Sequence, residues 1–155
     1  MKDNPSEFKN PENPVEKISW KDCQTFIEKL KQLPGAKYIN LPTEAQWEYA
    51  CRAGTTEPLN FGSEISLDLV NYSGKWKGFG GFSEGAQKAT VAAKSYKPNA
   101  WGLYQMHGNV WEWCSDWFAA MPSQDAINPT GPDKNKLTEN DMFQNEPCRV
   151  LRGGS

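Results

Sequence analysis

The sequence predicts an α+β domain with two helices, several short strands and a low content of regular secondary structure. Capping-box patterns at Ser19 and at Thr43 each precede apolar residues spaced by three or four positions, which is typical of a helix packed by one face. Residues 99–118 hold four of the seven tryptophans and include a stretch that alternates as a strand does. The connections between these segments are long and rich in turn-forming residues, so we expect irregular loops.

The composition indicates one globular domain. The 155 residues are enough for a single core that buries about 70% of the surface of the unfolded chain. The 17 basic and 19 acidic residues give a net charge of −2 without a long run of either sign, which argues against binding to nucleic acid or to an anionic membrane. Because there is neither an apolar run of ~18 residues nor a signal peptide at the start, we expect a soluble domain, and its compartment stays open.

The two helices are expected to follow their caps directly. The first begins after Ser19 and stops at Pro34-Gly35, and the second begins after Thr43 and ends at Gly54. The apolar face of the first helix comprises Cys23, Phe26, Ile27, Leu30 and Leu33. That of the second comprises Trp47, Ala50 and Cys51.

A central strand is predicted after the turn dipeptide Gly108-Asn109. Within it, Trp111 and Trp113 share one face. Glu112 lies on the other face, together with Val110 and Cys114. The pattern therefore indicates a strand that positions a carboxylate.

The remaining segments carry weaker signals. Residues 1–16 are rich in proline and asparagine and should run extended over the surface, and within residues 55–98 only residues 90–96 could form a short strand. Residues 119–147 are polar and turn-rich, and Arg149–Arg152 begins another strand.

The cysteines and the one histidine are interpreted as structural. Cys23, Cys51, Cys114 and Cys148 are widely scattered, so free buried thiols are favoured over two disulfides, and a zinc or iron–sulfur site is improbable. His107 has no second histidine in the chain with which to form a metal site, so we expect it to act through hydrogen bonds.

Three motifs together resemble the formylglycine-generating enzyme family, also called sulfatase-modifying-factor domains. They are Asn40–Gly54, Asn99–Phe118 and Arg149–Ser155, and they occur in the order found in the family. The resemblance implies a C-type-lectin-like fold whose loop-rich half is braced by calcium and by stacked tryptophans. Members extend beyond both ends of this match, so residues 1–155 are expected to be a single family domain truncated at the C-terminus and at the N-terminus.

The resemblance also implies two calcium positions. The first uses the side chains of Gln105 and Glu112 with the backbone oxygens of Gly108 and Val110. Gln105 stands where members commonly have Asp or Asn, and the lost charge should weaken binding because ligand charge sets calcium affinity. The second, weaker position uses Asn71 and the backbone of Tyr72, but no aspartate matches the acid expected near Gly85. An alternative role for Glu112 is an ion pair with Arg149 or Arg152.

Oxidase chemistry in the family requires a copper(I) site of two cysteine thiolates, which are soft ligands suited to that ion. By resemblance these cysteines would follow Ser155, so copper is expected only if they exist there. Trp111 and Ser155 match residues that line the family's active site, whereas Cys148 matches neither catalytic cysteine. We therefore expect no catalytic residue and no oxidase activity in this chain.

Three functions fit these observations. The favoured one is a non-catalytic domain that binds a protein or small ligand through its loops, and its finer form is a variable protein of a diversity-generating retroelement. The alternative is a copper-dependent formylglycine-generating oxidase that matures sulfatases and whose catalytic cysteines lie beyond Ser155. A regulatory module attached to a kinase or to another effector is the third.

Overall fold

A computed structural model describes residues 3–72, 89–120 and 124–154 of the chain. Its regular elements are α1 (Trp20–Leu30), α2 (Glu44–Arg52), β1 (Glu112–Trp117), β2 (Met142–Phe143), β3 (Glu146–Pro147) and β4 (Arg149–Arg152), with short 3₁₀ helices at Lys134–Lys136 and Glu139–Asp141. In the described residues β1 pairs with β4, and β2 pairs with β3 in an antiparallel hairpin. The expected combination of two helices, short strands and long loops is confirmed.

The first helix begins where its cap predicts. The Ser19 hydroxyl accepts from the backbone N–H of Asp22, and the Asp22 carboxylate accepts from the backbone N–H of Ser19, which completes a capping box. Ile27 is buried, but Phe26 is half exposed, and Leu33 is exposed and lies beyond the end of the helix. The predicted apolar face is therefore too wide: Leu33 falls outside it because the helix ends at Leu30, and Phe26 is exposed although it lies within the helix.

The second helix also follows its predicted cap. Thr43 Oγ1 accepts from the backbone N–H of Gln46 at 3.1 Å, and Gln46 Oε1 accepts from the backbone N–H of Thr43 at 2.9 Å. Trp47 and Cys51 are buried on one face, as the spacing predicts. The helix ends before Gly54, whose φ of +92° ends the α-helical path.

Strand β1 starts later than the sequence pattern suggests. It begins at Glu112, so Trp111 lies outside the strand and 57% of its surface is exposed. The preceding residue pair explains the delay, because Asn109 has a φ of +78° and holds the chain in a turn. Within the strand, Cys114 and Asp116 are buried on the face that begins with Glu112, and the predicted strand at Arg149–Arg152 is confirmed as β4.

The strand predicted over residues 90–96 is wrong. Residues 90–92 have no regular secondary structure, and residues 93–96 form a turn and a bend. Backbone groups of residues 90–92 bond to side chains, and the N–H of Ala93 donates to the backbone oxygen of Glu12 outside any strand. Asn109 bonds to both backbone groups of Val91, and Gln105 Nε2 donates to the oxygen of Ala92 at 3.1 Å. Side-chain amides thus replace the strand partner that the apolar pattern implied.

Two other segments are more ordered than the sequence indicates. Residues 119–147 were expected to be turns, but they contain β2 and β3, joined through Gln144 and Asn145, whose φ values are +52° and +65°. In the leading segment Ser6 is buried, and its Oγ accepts a hydrogen bond from the backbone N–H of Glu16 at 3.0 Å. This bond ties two parts of the segment together.

The chain divides into two compact units. The amide unit comprises the described parts of Met1–Ile18, Tyr49–Glu112 and Gly153–Ser155. The arginine unit comprises the described parts of Ser19–Glu48 and Trp113–Arg152. In the parts of the chain that the structure covers, neither helix has the length and apolar character required to cross a membrane.

The arginine unit is packed around the guanidinium group of Arg149. Its Cζ lies 4.0 Å from the ring centroid of Trp20 and 3.6 Å from that of Trp117, and its Nη1 donates to the backbone oxygen of Ser115. Burial lowers the pKa of Arg149 from its usual value, and the carboxylate of Asp116 opposes that shift. The two indole faces therefore stabilise a cation that is costly to bury.

A second arginine in this unit joins β4 to the first turns of α2. Arg152 Nη2 donates to the Glu48 carboxylate, its Nη1 lies 3.6 Å from Glu44 Oε1, and its Cζ lies 4.9 Å from the ring centroid of Trp47. Burial raises the pKa of Glu44, a shift that Arg152 opposes and that Asp116 and Glu48 reinforce. Asp116 also accepts from the backbone N–H of Glu44 and so caps α2 from a distant part of the sequence.

Candidate metal centre

The first predicted calcium position lies in the turn that leads into β1. Gln105 has a φ of +58°, and the backbone N–H of Gly108 donates to its carbonyl oxygen at 3.3 Å, which closes the turn. A Cβ added to Gly108 would lie 2.4 Å from the backbone oxygen of Asn71 and 2.5 Å from Val70 Cγ1. Only glycine fits there, because the turn packs directly against the segment that carries the second predicted position.

The side-chain amide of Gln105 is oriented by one end only. Its Nε2 donates to the backbone oxygen of Ala92 at 3.1 Å. Its Oε1 is buried and accepts no hydrogen bond from the residues that the structure describes. This orientation leaves a buried amide oxygen at the place where the resemblance requires a ligand.

Asn71, the side-chain ligand of the second predicted position, has the same arrangement. Only 4% of its surface is exposed, and its Nδ2 donates to the backbone oxygen of Ala89 at 3.0 Å and to Asn109 Oδ1 at 3.1 Å. Its backbone oxygen accepts from the N–H of Asn109 at 2.7 Å. Its Oδ1 is buried and receives no donor from the described part of the chain.

Each of these two oxygens is suited to be a calcium ligand at its own predicted position. Leaving a buried acceptor unsatisfied costs about 1–3 kcal/mol, and calcium prefers amide, carbonyl and carboxylate oxygens as ligands. Among the other predicted ligands, Gly108 is buried, Val110 and Tyr72 are half-buried, and Glu112 is half-buried at the first position of β1. Gly85 lies outside the described residues.

The charge of the centre is low. Over the ranges 3–72, 89–120 and 124–154, no three histidine, cysteine, aspartate or glutamate side chains are grouped so as to hold a metal ion. Affinity for calcium rises with the number of charged ligands, and Glu112 is the one carboxylate in the predicted set. The donor set therefore suits weak calcium binding and not a transition metal.

His107 forms hydrogen bonds next to this turn, as expected from the sequence. Its Nε2 accepts from the backbone N–H of Asn60 at 3.0 Å and lies 3.5 Å from the Sγ of the buried Cys51. The ring also meets Phe61 edge-on, with their centroids 5.3 Å apart. Because Nε2 accepts a backbone hydrogen bond, the neutral ring carries its proton on Nδ1.

The residues expected to line an oxidase pocket are only partly described. Trp111 is exposed just before β1, whereas Ser155 lies outside the described residues. All four cysteines are free thiols, and the half-buried Cys148 donates from its Sγ to the backbone oxygen of Glu146 at 3.5 Å. The ion pair suggested for Glu112 with Arg149 or Arg152 stays a prediction.

Two residues important for this region were not identified as such from the sequence. Asn99 donates from Nδ2 to the oxygens of Ala50 and Cys51, and it accepts at Oδ1 from the backbone N–H groups of Trp101 and Leu103. Asn109 was interpreted only as a turn residue. In each case the signal available was an asparagine within a glycine-containing segment that cannot form a strand or helix.

The sequence of this chain is similar to those of known proteins. The family described as Sulfatase-modifying factor enzyme 1-like domain matches residues 1–155. This chain belongs to that family. The resemblance drawn from the three sequence motifs is thereby confirmed.

Relatives in the family are considerably longer than this chain. The formylglycine-generating enzyme of Bos taurus is 34% identical over 150 residues, which cover 94% of this chain and 35% of that protein. The formylglycine-generating enzyme of Streptomyces coelicolor is 34% identical over 151 residues, which cover 94% of this chain and 42% of that protein. The chain therefore spans less than half the length of these relatives.

A solved structure confirms the C-type-lectin-like fold. Treponema denticola variable protein 1 superposes on this chain with a TM-score of 0.69 and 25% sequence identity. The superposition covers 99% of this chain and 66% of that protein.

Proposed function

We propose that this chain is a non-catalytic binding domain on the scaffold of the formylglycine-generating enzyme family, recognising a protein or a small ligand through its loops. The main support is the likeness to Treponema denticola variable protein 1, which extends over 99% of the chain. The finer proposal is that the chain belongs to a variable protein of a diversity-generating retroelement. Irregular loops suit such a role because they accept sequence change more readily than helices and strands.

Exposed aromatic side chains in the amide unit support a recognition role. Tyr49 and Trp101 are 69% and 48% exposed, yet their rings meet at a centroid distance of 4.8 Å. Leu103 and Trp111 are also exposed in this unit. Aromatic rings provide large contact areas at low conformational cost, which is why they are common in binding surfaces.

Calcium would serve this function by bracing the loops. The residues that would hold it are Gln105, Gly108, Val110 and Glu112 at the first position, and Asn71 and Tyr72 at the second. A bound calcium ion would interact with the buried oxygens that lack a hydrogen-bond donor. The free-energy cost of ordering the loops would therefore fall. Glu112 supplies the charge of the donor set, and the two amides supply oriented neutral oxygens.

The alternative function is a copper-dependent formylglycine-generating oxidase, and the identity of 34% to two enzymes of that name favours it. Copper(I) titration of the full-length protein against a chromophoric chelator separates the two functions. The binding-domain proposal predicts no tight binding of one copper ion per chain and no conversion of cysteine to formylglycine in a substrate peptide. A Cys148→Ser variant controls for adventitious binding, since this thiol is the half-buried one closest to the end of the chain.

Tight binding of one copper ion that persists in Cys148→Ser, together with formylglycine formation, would overturn the proposal in favour of the oxidase. Copper binding that Cys148→Ser abolishes would instead identify an adventitious thiol and would leave the binding domain as the better account.

A further inference from the structure

Asn109 lies between the two predicted calcium positions and contacts groups that belong to both. It is 94% buried, since only 6% of its surface is exposed, and its φ of +78° places it in the left-handed region that asparagine and glycine tolerate. Its neighbours in the chain are Gly108 and Val110, whose backbone oxygens belong to the first position. Its own backbone N–H donates to the oxygen of Asn71 at 2.7 Å.

The orientation of the Asn109 side chain is determined by one backbone residue. Oδ1 accepts from the N–H of Val91 at 2.9 Å, and Nδ2 donates to the oxygen of Val91 at 3.1 Å. Exchanging the amide oxygen and nitrogen would place donor against donor and acceptor against acceptor. Oδ1 of Asn109 must therefore face Asn71 as an acceptor.

This constraint passes on to Asn71. Because Asn109 offers an acceptor, Asn71 must present its Nδ2, and the second hydrogen of that nitrogen is taken by the oxygen of Ala89. The Asn71 amide is thereby fixed with its donor end satisfied and its buried Oδ1 without a donor in the described chain. A cation on Oδ1 would restrict this amide further, and with it the hydrogen bonds that join Asn71 to Asn109.

We propose that Asn109 is a positioning residue that couples the two calcium positions, so that an ion at one raises the affinity of the other. An ion on Asn71 and Tyr72 holds Asn71, which holds the backbone and side chain of Asn109 and hence the carbonyls on either side of it. Coupling of this kind is reciprocal, because each ion changes the affinity of the other by the same factor. This inference rests on the proposed calcium binding.

Isothermal titration of the calcium-free chain with calcium chloride tests the coupling. The wild-type chain is expected to bind two ions with positive cooperativity. In Asn109→Gly the backbone keeps its positive φ without strain, but the side-chain bonds to Asn71 and Val91 are lost. The variant should lose the cooperativity and bind the second ion about fivefold more weakly or worse, the lower end of ordinary allosteric coupling.

Asn145→Gly is a matched control. Asn145 is also an asparagine at positive φ, with a value of +65°, but it lies exposed in the turn between β2 and β3. The same replacement there should leave the calcium isotherm unchanged. A change of similar size in Asn145→Gly would overturn the assignment of the coupling to Asn109.

A second variant keeps the inference testable if Asn109→Gly does not fold. Gln105→Asp adds a charged ligand at the first position and should tighten binding there. Because the first position then fills at lower calcium, coupled positions predict that the second ion binds more tightly by up to the coupling factor of about fivefold, whereas independent positions predict no change at the second.

The outcomes separate the coupling from the calcium proposal itself. Absence of binding in the wild-type chain would contradict both. Two independent ions in the wild-type chain, or a single ion, would overturn the coupling and leave calcium binding intact. Cooperative binding that Asn109→Gly leaves unaltered would show that another residue carries the coupling and would also overturn the inference.

Discussion

The arginine unit and the amide unit satisfy their buried polar groups by different chemistry. In the arginine unit, the guanidinium of Arg149 lies between two indole rings, and Arg152 pairs with carboxylates of α2. In the amide unit, Asn71 and Asn109 bond to the backbone of irregular loops, and Asn99 joins the end of α2 to the backbone N–H groups of Trp101 and Leu103. Charged groups thus join regular elements in one unit, whereas neutral amides replace missing strand partners in the other.

This difference has a chemical consequence. A guanidinium group offers only donors, and in the described part of the arginine unit the one buried acceptor oxygen without a hydrogen-bond partner is Asp116 Oδ1. The positive charge of Arg149 acts on that carboxylate and disfavours a cation there. An amide has a donor end and an acceptor end, and a loop that uses the donor end leaves the oxygen to a further partner. Asn71 Oδ1 and Gln105 Oε1 are two such oxygens, so the loops of the amide unit combine backbone support with potential cation ligands.

The largest loss of stability is expected from breaking the arginine unit at Arg149. Arg149→Ala removes two cation–π contacts and a charge-assisted hydrogen bond, so the free energy of unfolding should fall by about 3 kcal/mol. Arg149→Lys keeps the charge but loses the planar stacking on the indole rings. Its free energy of unfolding should fall by about half as much as that of Arg149→Ala. Urea unfolding followed by tryptophan fluorescence measures both, and equal stability of the wild type and Arg149→Ala would contradict this account.

A smaller loss is expected from Asn99→Ala in the amide unit. Asn99 is buried and bonds to four backbone groups, including the oxygens of Ala50 and Cys51 at the end of α2. Leaving such groups unsatisfied should lower the free energy of unfolding, as measured by urea unfolding, by about 2 kcal/mol. Asn40→Ala is the matched control, because Asn40 is exposed, bonds to Tyr38 alone at 3.2 Å and should change stability by less than about 0.5 kcal/mol. A difference of zero between the two variants would refute the structural role of the buried amide.

The parts of the fold that depend on local interactions were predictable from the sequence. The Ser19 and Thr43 caps mark the starts of α1 and α2 because a capping box involves residues three positions apart. Strand β4 was also predicted from the sequence, at Arg149–Arg152. The strand expected at residues 90–96 failed because Asn109, which is distant in the sequence, takes the backbone bonds of Val91.

The candidate metal centre was predictable only through the resemblance. Composition and spacing suggest that Glu112 follows a turn, but they do not indicate which amide oxygens lack a donor. That property of Asn71 and Gln105 depends on long-range partners, namely Ala89, Asn109 and Ala92. The role of Asn109 could not be seen in the sequence for the same reason.

The most direct test of calcium binding by the amide unit is the melting temperature with 1 mM calcium and with excess chelator. If the dissociation constant is ~0.1 mM, as in weak extracellular sites, calcium should stabilise the chain by about 1.4 kcal/mol and raise the melting temperature by about 3–6 °C. Glu112→Ala should abolish this rise, because it removes the one carboxylate of the predicted set. Glu146→Ala, at another strand glutamate, should retain it. A melting temperature that is the same in calcium and in chelator for the wild-type chain would contradict calcium binding by the amide unit.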